Sequence, residues 1–189
     1  KRLMFFINDN AMGATVKDAD LLYALWTNPQ VMTNVGFPQG LRITRDDIKD
    51  RLSKQGEHVF EHWLIIELKG TGQFIGECYL GRPNDEGIAE PDVKLLPASW
   101  GCGYGTELWR ALVAYQFEHT DCEIVQGTPN VENVASIRMQ ESAGAGRVGP
   151  VHRAADREGV GGPGVGDLLD VVLSPPGGIA CPSADMPLC

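Results

Sequence analysis

Three glycines alternate at Gly101, Gly103 and Gly105, between an apolar run ending at Leu96 and a long amphipathic run starting at Tyr104. Glycine lets backbone approach a ligand closely and adopt positive φ. The first N–H groups of a helix have no partner inside it, and the helix dipole favours an anion at that end. A strand, a glycine loop and a helix in this order suit a phosphate or pyrophosphate. The same residues also suit a plain turn joining strand to helix. No Gly-Lys-Ser/Thr follows, as a P-loop requires. The G-x-G-x-G spacing, with no acid at the end of the next strand-like run (Glu123–Gly127), also departs from a dinucleotide fingerprint.

Candidate proton-transfer groups lie just upstream. Side chains alternate across a strand, so Glu90 and Asp92 share one face, as do Glu77 and Tyr79. A carboxylate there suits a base acting directly or through water, and equally a solvated strand-face acid. Histidine is the residue type suited to proton transfer near neutral pH, yet no spacing singles out His58, His62 or His119. Five cysteines form no C-x-x-C pair and no H-E-x-x-H is present, so neither a disulfide framework nor a metal site is expected.

The elements that must hold these groups read as follows. Arg2–Ile7 is a first strand, and Asp18–Trp26 a helix with Asp18 as N-cap. Thr44 and Asp47 form a capping box for a helix reaching Lys54. Trp63–Leu68 and Phe74–Leu80 form a hairpin around Lys69–Gly72, and Ala89–Leu96 is a third strand. Tyr104–His119 is a helix with Leu108, Leu112 and Tyr115 on one face, broadened by Trp109, Val113 and Phe117. Glu123–Gly127 is a strand and Val131–Ala143 a second long helix. This order predicts a mixed α+β (α/β) domain with helices on both faces of a mixed sheet.

A chain of 189 residues suits one domain. Its net charge of −9 argues against a nucleic-acid partner and is compatible with a cationic substrate. No apolar run is long enough to span a membrane. No secretory pattern is seen at the N-terminus, so the cytoplasm is the expected location. Composition is uneven. Every aromatic residue lies at or before Phe117, no lysine follows Lys94, and 15 of the last 45 residues are Gly or Pro.

With these residues in hand, the chain resembles the GNAT superfamily of acyl-CoA N-acyltransferases, and more narrowly the branch of ribosomal-protein alanine N-acetyltransferases and related small-amine enzymes. Trp100-Gly101-Cys102-Gly103-Tyr104-Gly105-Thr106-Glu107 resembles that branch's W-G-x-G-Y-A/G-T-E. Asn133 to Gly144 resembles the family's N-x-x-S-x-x-x-x-E-x-x-G, and Phe74-Ile75-Gly76-Glu77 its hairpin strand. Cys102 stands where lysine is common, which removes one cation near the phosphates. Gln140 stands where many members have an acidic tyrosine, and it cannot donate a proton at neutral pH.

The resemblance implies transfer of an acetyl group from acetyl-CoA to a primary amine, a protein N-terminus or a small amine, by direct attack in a ternary complex, by a monomer or homodimer. The alternative is a module that binds CoA or acyl-CoA without transfer. The resemblance implies that strand backbone including Leu95 and Leu96 pairs with the pantetheine arm. Gly101, Cys102, Gly103, Tyr104, Gly105 and Thr106 would cradle the pyrophosphate, and Asn133 would hold the arm near the sulfur. Glu90 is the implied base, and Ser136 the implied hydrogen-bond donor to the leaving thiolate. The acceptor is expected against residues 27–42 and the final strands. The match is lost after Gly144, where the family adds two strands that close the sheet. Only Asp167–Leu173 reads as one of them, so that ending reads as altered or replaced. Residues 1–174 are expected to form one domain and residues 175–189 an irregular tail.

Overall fold

Alternating burial along His62–Leu68, beside the almost continuously buried Ile75–Leu80, sets the central layer. The computed structural model describes residues 3–4, 13–55, 60, 62–151 and 168–174. In chain order these form β1 (Leu3–Met4), α1 (Ala19–Trp26), α2 (Pro29–Met32), α3 (Arg45–Ser53), β2 (His62–Leu68) and β3 (Gln73–Leu80). β4 (Ile88–Ala89), β5 (Asp92–Leu95), α4 (Tyr104–His119), β6 (Ile124–Gly127), α5 (Val134–Glu141), β7 (Gly146–Val151) and β8 (Leu168–Leu173) follow. The expected tail and the rest of the first strand lie outside the described residues.

Two four-stranded sheets run in the orders β1-β2-β3-β5 and β4-β6-β8-β7. The first is antiparallel throughout, and β4 lies parallel to β6. One face of the first sheet presents Leu64, Ile66, Ile75 and Leu80 to Leu108 and Leu112 of α4. The other face presents Trp63, Ile65 and Phe74 to Leu22, Leu25 and Trp26 of α1 and to Ile48 of α3. Trp109 and Val113, on the adjoining stripe of α4, pack on Ala89 and Val125 of the second sheet. One helix thus closes both sheets. Each fully buried leucine or isoleucine here contributes roughly 1.5–3 kcal/mol. The expected mixed α+β class with helices on both faces is what the chain adopts.

Four local expectations are corrected. Asp18 stands at the N-cap position of α1 as expected but makes no side-chain cap there; its carboxylate instead accepts from the Thr15 N–H at 2.7 Å, closing a capping box one turn earlier. The helix expected from Val131 starts at Val134, because Asn133 Oδ1 caps it by accepting the Ser136 N–H at 3.1 Å. The ending is not strand-poor: β7 and β8 pair antiparallel, and β8 joins β6. Finally, the strand expected over Ala89–Leu96 is broken at Glu90-Pro91, where proline has no N–H for a ladder and holds its predecessor extended. The capping box of Thr44 and Asp47 forms as expected.

Candidate active site

The break at Pro91 makes the site. Before it, Ile88 and Ala89 pair with Ile124 and Val125 of β6. After it, Asp92–Leu95 pairs, among the described residues, only with β3, so the two sheets part and one edge of β5 faces the gap. Leu96 N–H donates to Ile75 O at 2.8 Å. Antiparallel pairs alternate, so Lys94 turns its backbone groups to Glu77, while Val93 and Leu95 turn theirs into the gap. Leu95 O there accepts the Trp100 indole N–H at 2.8 Å, and Val93 N–H donates to Asp92 Oδ1 at 2.8 Å.

The gap continues into a cleft of about 480 Å³. One wall is the edge of β5 (Val93, Lys94 and Leu95). Another is the glycine loop at Gly101 and Gly103 to Thr106, and the third is α5 with Asn133, Ser136, Arg138 and Met139. Val31, Asn34 and Val35, from the segment expected to meet an acceptor, close one end. Gly101 and Gly103 have φ of 70° and 82°, and a Cβ on either would meet no protein atom within 4 Å. Gly103 is the N-cap of α4 and no side chain caps that helix, so its first N–H groups remain for a guest. This is an anion cradle at the end of an exposed strand edge.

The structure brings Leu95, Gly101, Gly103, Tyr104, Gly105, Thr106, Asn133 and Ser136 together in one cleft. Leu96, Cys102 and Glu90 do not line it. Leu96 leans on the α1 side of the sheet, and Cys102 is exposed on the loop. Glu90 is half-buried at the kink where the sheets part. Asn133 spends its side-chain oxygen on the helix cap and lines the cleft.

Sequence reasoning missed two groups. Arg138 lines the cleft from α5, and it lies within the Asn133–Gly144 block where only the motif positions drew notice. Lys94 is nearly buried, with its Nζ 3.2 Å from Glu77 Oε1 and in contact with Asp92 Oδ2. The Trp26 indole donates to the same Glu77 oxygen at 3.2 Å. Burial pushes the Glu77 carboxyl above its ordinary range, with the Lys94 charge opposing. Burial alone would lower the Lys94 ammonium, but the facing Asp92 and Glu77 carboxylates outweigh it and hold it above the usual lysine value, so it stays charged. Cross-strand pairing of positions 77 and 94 was the only sequence-level signal for this cluster.

A strand edge that runs into an uncapped helix N-terminus makes one groove with an anion-favouring end. Residues 13–146 match the acetyltransferase (GNAT) domain, and the chain belongs to that family of acetyl-CoA-dependent acyltransferases. It is 28% identical over 128 residues to the protein YkkB of Bacillus subtilis, spanning 67% of this chain and 74% of that one. It is 27% identical over 132 residues to the N-acetyltransferase p20 of Bacillus licheniformis, spanning 67% and 72%. The solved spermidine N-acetyltransferase of Vibrio cholerae, in complex with CoA and spermine, shares the fold. Its TM-score is 0.70 at 17% identity, over 86% of this chain and 93% of that one. Among the described residues no cluster of His, Cys, Asp or Glu could hold a metal, and no helix is long and apolar enough to cross a membrane.

Proposed function

We propose that the chain moves an acetyl group from acetyl-CoA to a primary amine by direct attack in a ternary complex. The observation that carries this is the free edge of β5 opening onto the uncapped N-terminus of α4 within one cleft. The Val93–Leu95 edge pairs with the pantetheine arm, and the Leu95 N–H, turned into the gap, polarises the thioester carbonyl. The loop from Gly101 to Thr106 receives the pyrophosphate. Asn133 Nδ2 holds the arm beside the sulfur, and the Ser136 hydroxyl hydrogen-bonds the departing thiolate. An amine of pKa near ~10 is mostly protonated at neutral pH, so it must shed a proton before attack. Glu90, at the mouth of the gap, takes that proton directly or through water. Residues 1–174 act as one such unit.

The acceptor is a cationic amine. A chain of net charge −9 supports this reading, as does the spermine bound by the Vibrio cholerae enzyme that shares its fold. The test is thiol release from acetyl-CoA against polyamines, aminoglycosides, amino acids and N-terminal peptides. Turnover with at least one amine is expected. Gln140 at the position of the family's acidic tyrosine favours a second reading, a CoA-binding module. Saturable CoA binding with no turnover across the panel would establish it in place of the first.

A further inference from the structure

Gln140 lies one helical turn beyond Ser136 on the same face of α5, and its Nε2 donates to Ser136 Oγ at 3.2 Å. A hydroxyl that accepts from an amide keeps its own proton for another acceptor. Among the described residues no group accepts that proton, and Ser136 lines the cleft. The serine is fixed from two sides, since its backbone N–H is spent on Asn133 Oδ1. Gln140 is held by burial and by its one side-chain hydrogen bond, to Ser136, since its Oε1 finds no partner among the described residues. It is 3% exposed, and its carboxamide lies on the bare Cα of Gly127, where a Cβ would stand 2.0 Å from Oε1 and 2.8 Å from Nε2. Gly127 is the last residue of β6, so the amide is packed between α5 and the end of that strand.

We propose that Gln140 is a positioning residue: by donating to Ser136 Oγ, it turns the serine O–H into the cleft, toward the sulfur of CoA. This rests on the function proposed above. In that reaction the amine nitrogen bonds to the acetyl carbon and the carbon–sulfur bond breaks with its electron pair going to sulfur. The amine's proton leaves through the base, and solvent later supplies a proton to the thiolate. The aimed hydroxyl stabilises the thiolate without transferring its own proton. The residue that replaces the family's tyrosine thus does its work one turn away.

The test uses bound CoA and needs no knowledge of the acceptor. The thiol of CoA on the full chain is titrated by the ultraviolet absorbance of the thiolate, with the complex of desulfo-CoA as the blank. Gln140→Met keeps the length and removes the donor, and Gln140→Asn keeps the amide and removes the reach. Each is expected to weaken the acidity of the bound thiol about tenfold, as loss of a hydrogen bond to a charged group does. Ser136→Ala should show the same change, and Ser136→Ala with Gln140→Met no further change. Melting temperatures confirm that the variants fold, and either Gln140 variant suffices. Wild-type acidity in a folded Gln140 variant, or additive changes in the double variant, overturns the positioning role alone. A wild-type chain that binds no CoA overturns the proposed function, and this role with it.

Discussion

Lys94 and Glu77 face each other directly across the β3–β5 ladder, and their side chains close an ion pair of 3.2 Å with Glu77 fully buried. The pair does more than hold two strands. Glu77 also receives the indole of Trp26 from α1, and Lys94 also reaches Asp92, whose carboxylate receives the Val93 N–H on the cleft edge. Helix α1 and the cleft edge of β5 are therefore joined by one chain of charge-assisted hydrogen bonds.

Lys94→Met should expose how much that chain contributes. Breaking a buried pair by removing one partner costs about 3–5 kcal/mol. Glu77 already sits above its ordinary value of 4.5 through burial, and without the opposing cation it rises further. A carboxyl raised in the folded state lends stability below its unfolded value and loses it as pH climbs through the folded one. The deficit of the variant should be smallest near about pH 4.5 and widen toward about pH 8. Melting temperatures of variant and wild type across that range report it; a constant difference would refute this account.

Gly76→Ala should damage the same strand pair from the other direction. A Cβ at Gly76 would stand 2.1 Å from the Lys94 carbonyl oxygen, a backbone atom that cannot step aside without moving β5. Overpacking of this kind costs about 3 kcal/mol or more when backbone must shift. The expected outcome is a marked drop in the urea midpoint together with weakened CoA binding. Wild-type stability would mean that β5 moves freely, contrary to the ladder described here.

Legibility in the sequence followed the range of the interaction. The helix Tyr104–His119 shows because Leu108, Leu112 and Tyr115 recur at helical spacing, and the box of Thr44 and Asp47 shows because cap and partner are three residues apart. The glycine loop was readable as an anion cradle for the same local reason. Pro91 was visible too, but the exchange of partners around it, from β6 to β3, joins residues over thirty positions away on one side and about sixteen on the other, and no local pattern announces it. The Trp26–Glu77–Lys94 chain was hidden likewise. β7 escaped because Gly146, Gly149 and Pro150 have low strand propensity, which pairing with β8 overrides.

Gly101→Ala and Gly103→Ala separate the loop's own strain from its use. Both residues sit at positive φ with open space where a Cβ would go, so the protein alone meets only the left-handed backbone penalty, about 1–2 kcal/mol. That space belongs to the cleft or borders it. CoA affinity by calorimetry should therefore fall by more than tenfold, beyond what the modest fall in melting temperature of the free protein accounts for. Unchanged affinity would mean that the loop is a turn and nothing else.

Arg138 bears on the cation that the loop lacks at Cys102. Its side chain comes from α5, which packs beside the glycine loop, and it forms no salt bridge among the described residues, Glu141 acting on it only at longer range. CoA is polyanionic, and one cation at an exposed phosphate is worth on the order of 1 kcal/mol at low salt. Arg138→Met should weaken CoA binding about fivefold in dilute buffer, and the difference should shrink as salt screens it. Cys102→Lys places a cation on the loop itself, so in the Arg138→Met background it should restore part of the loss. Calorimetric titrations of the single and double variants at two salt concentrations decide the matter. An Arg138→Met variant that binds as tightly as wild type in dilute buffer would leave the phosphates to the backbone N–H groups of α4 alone.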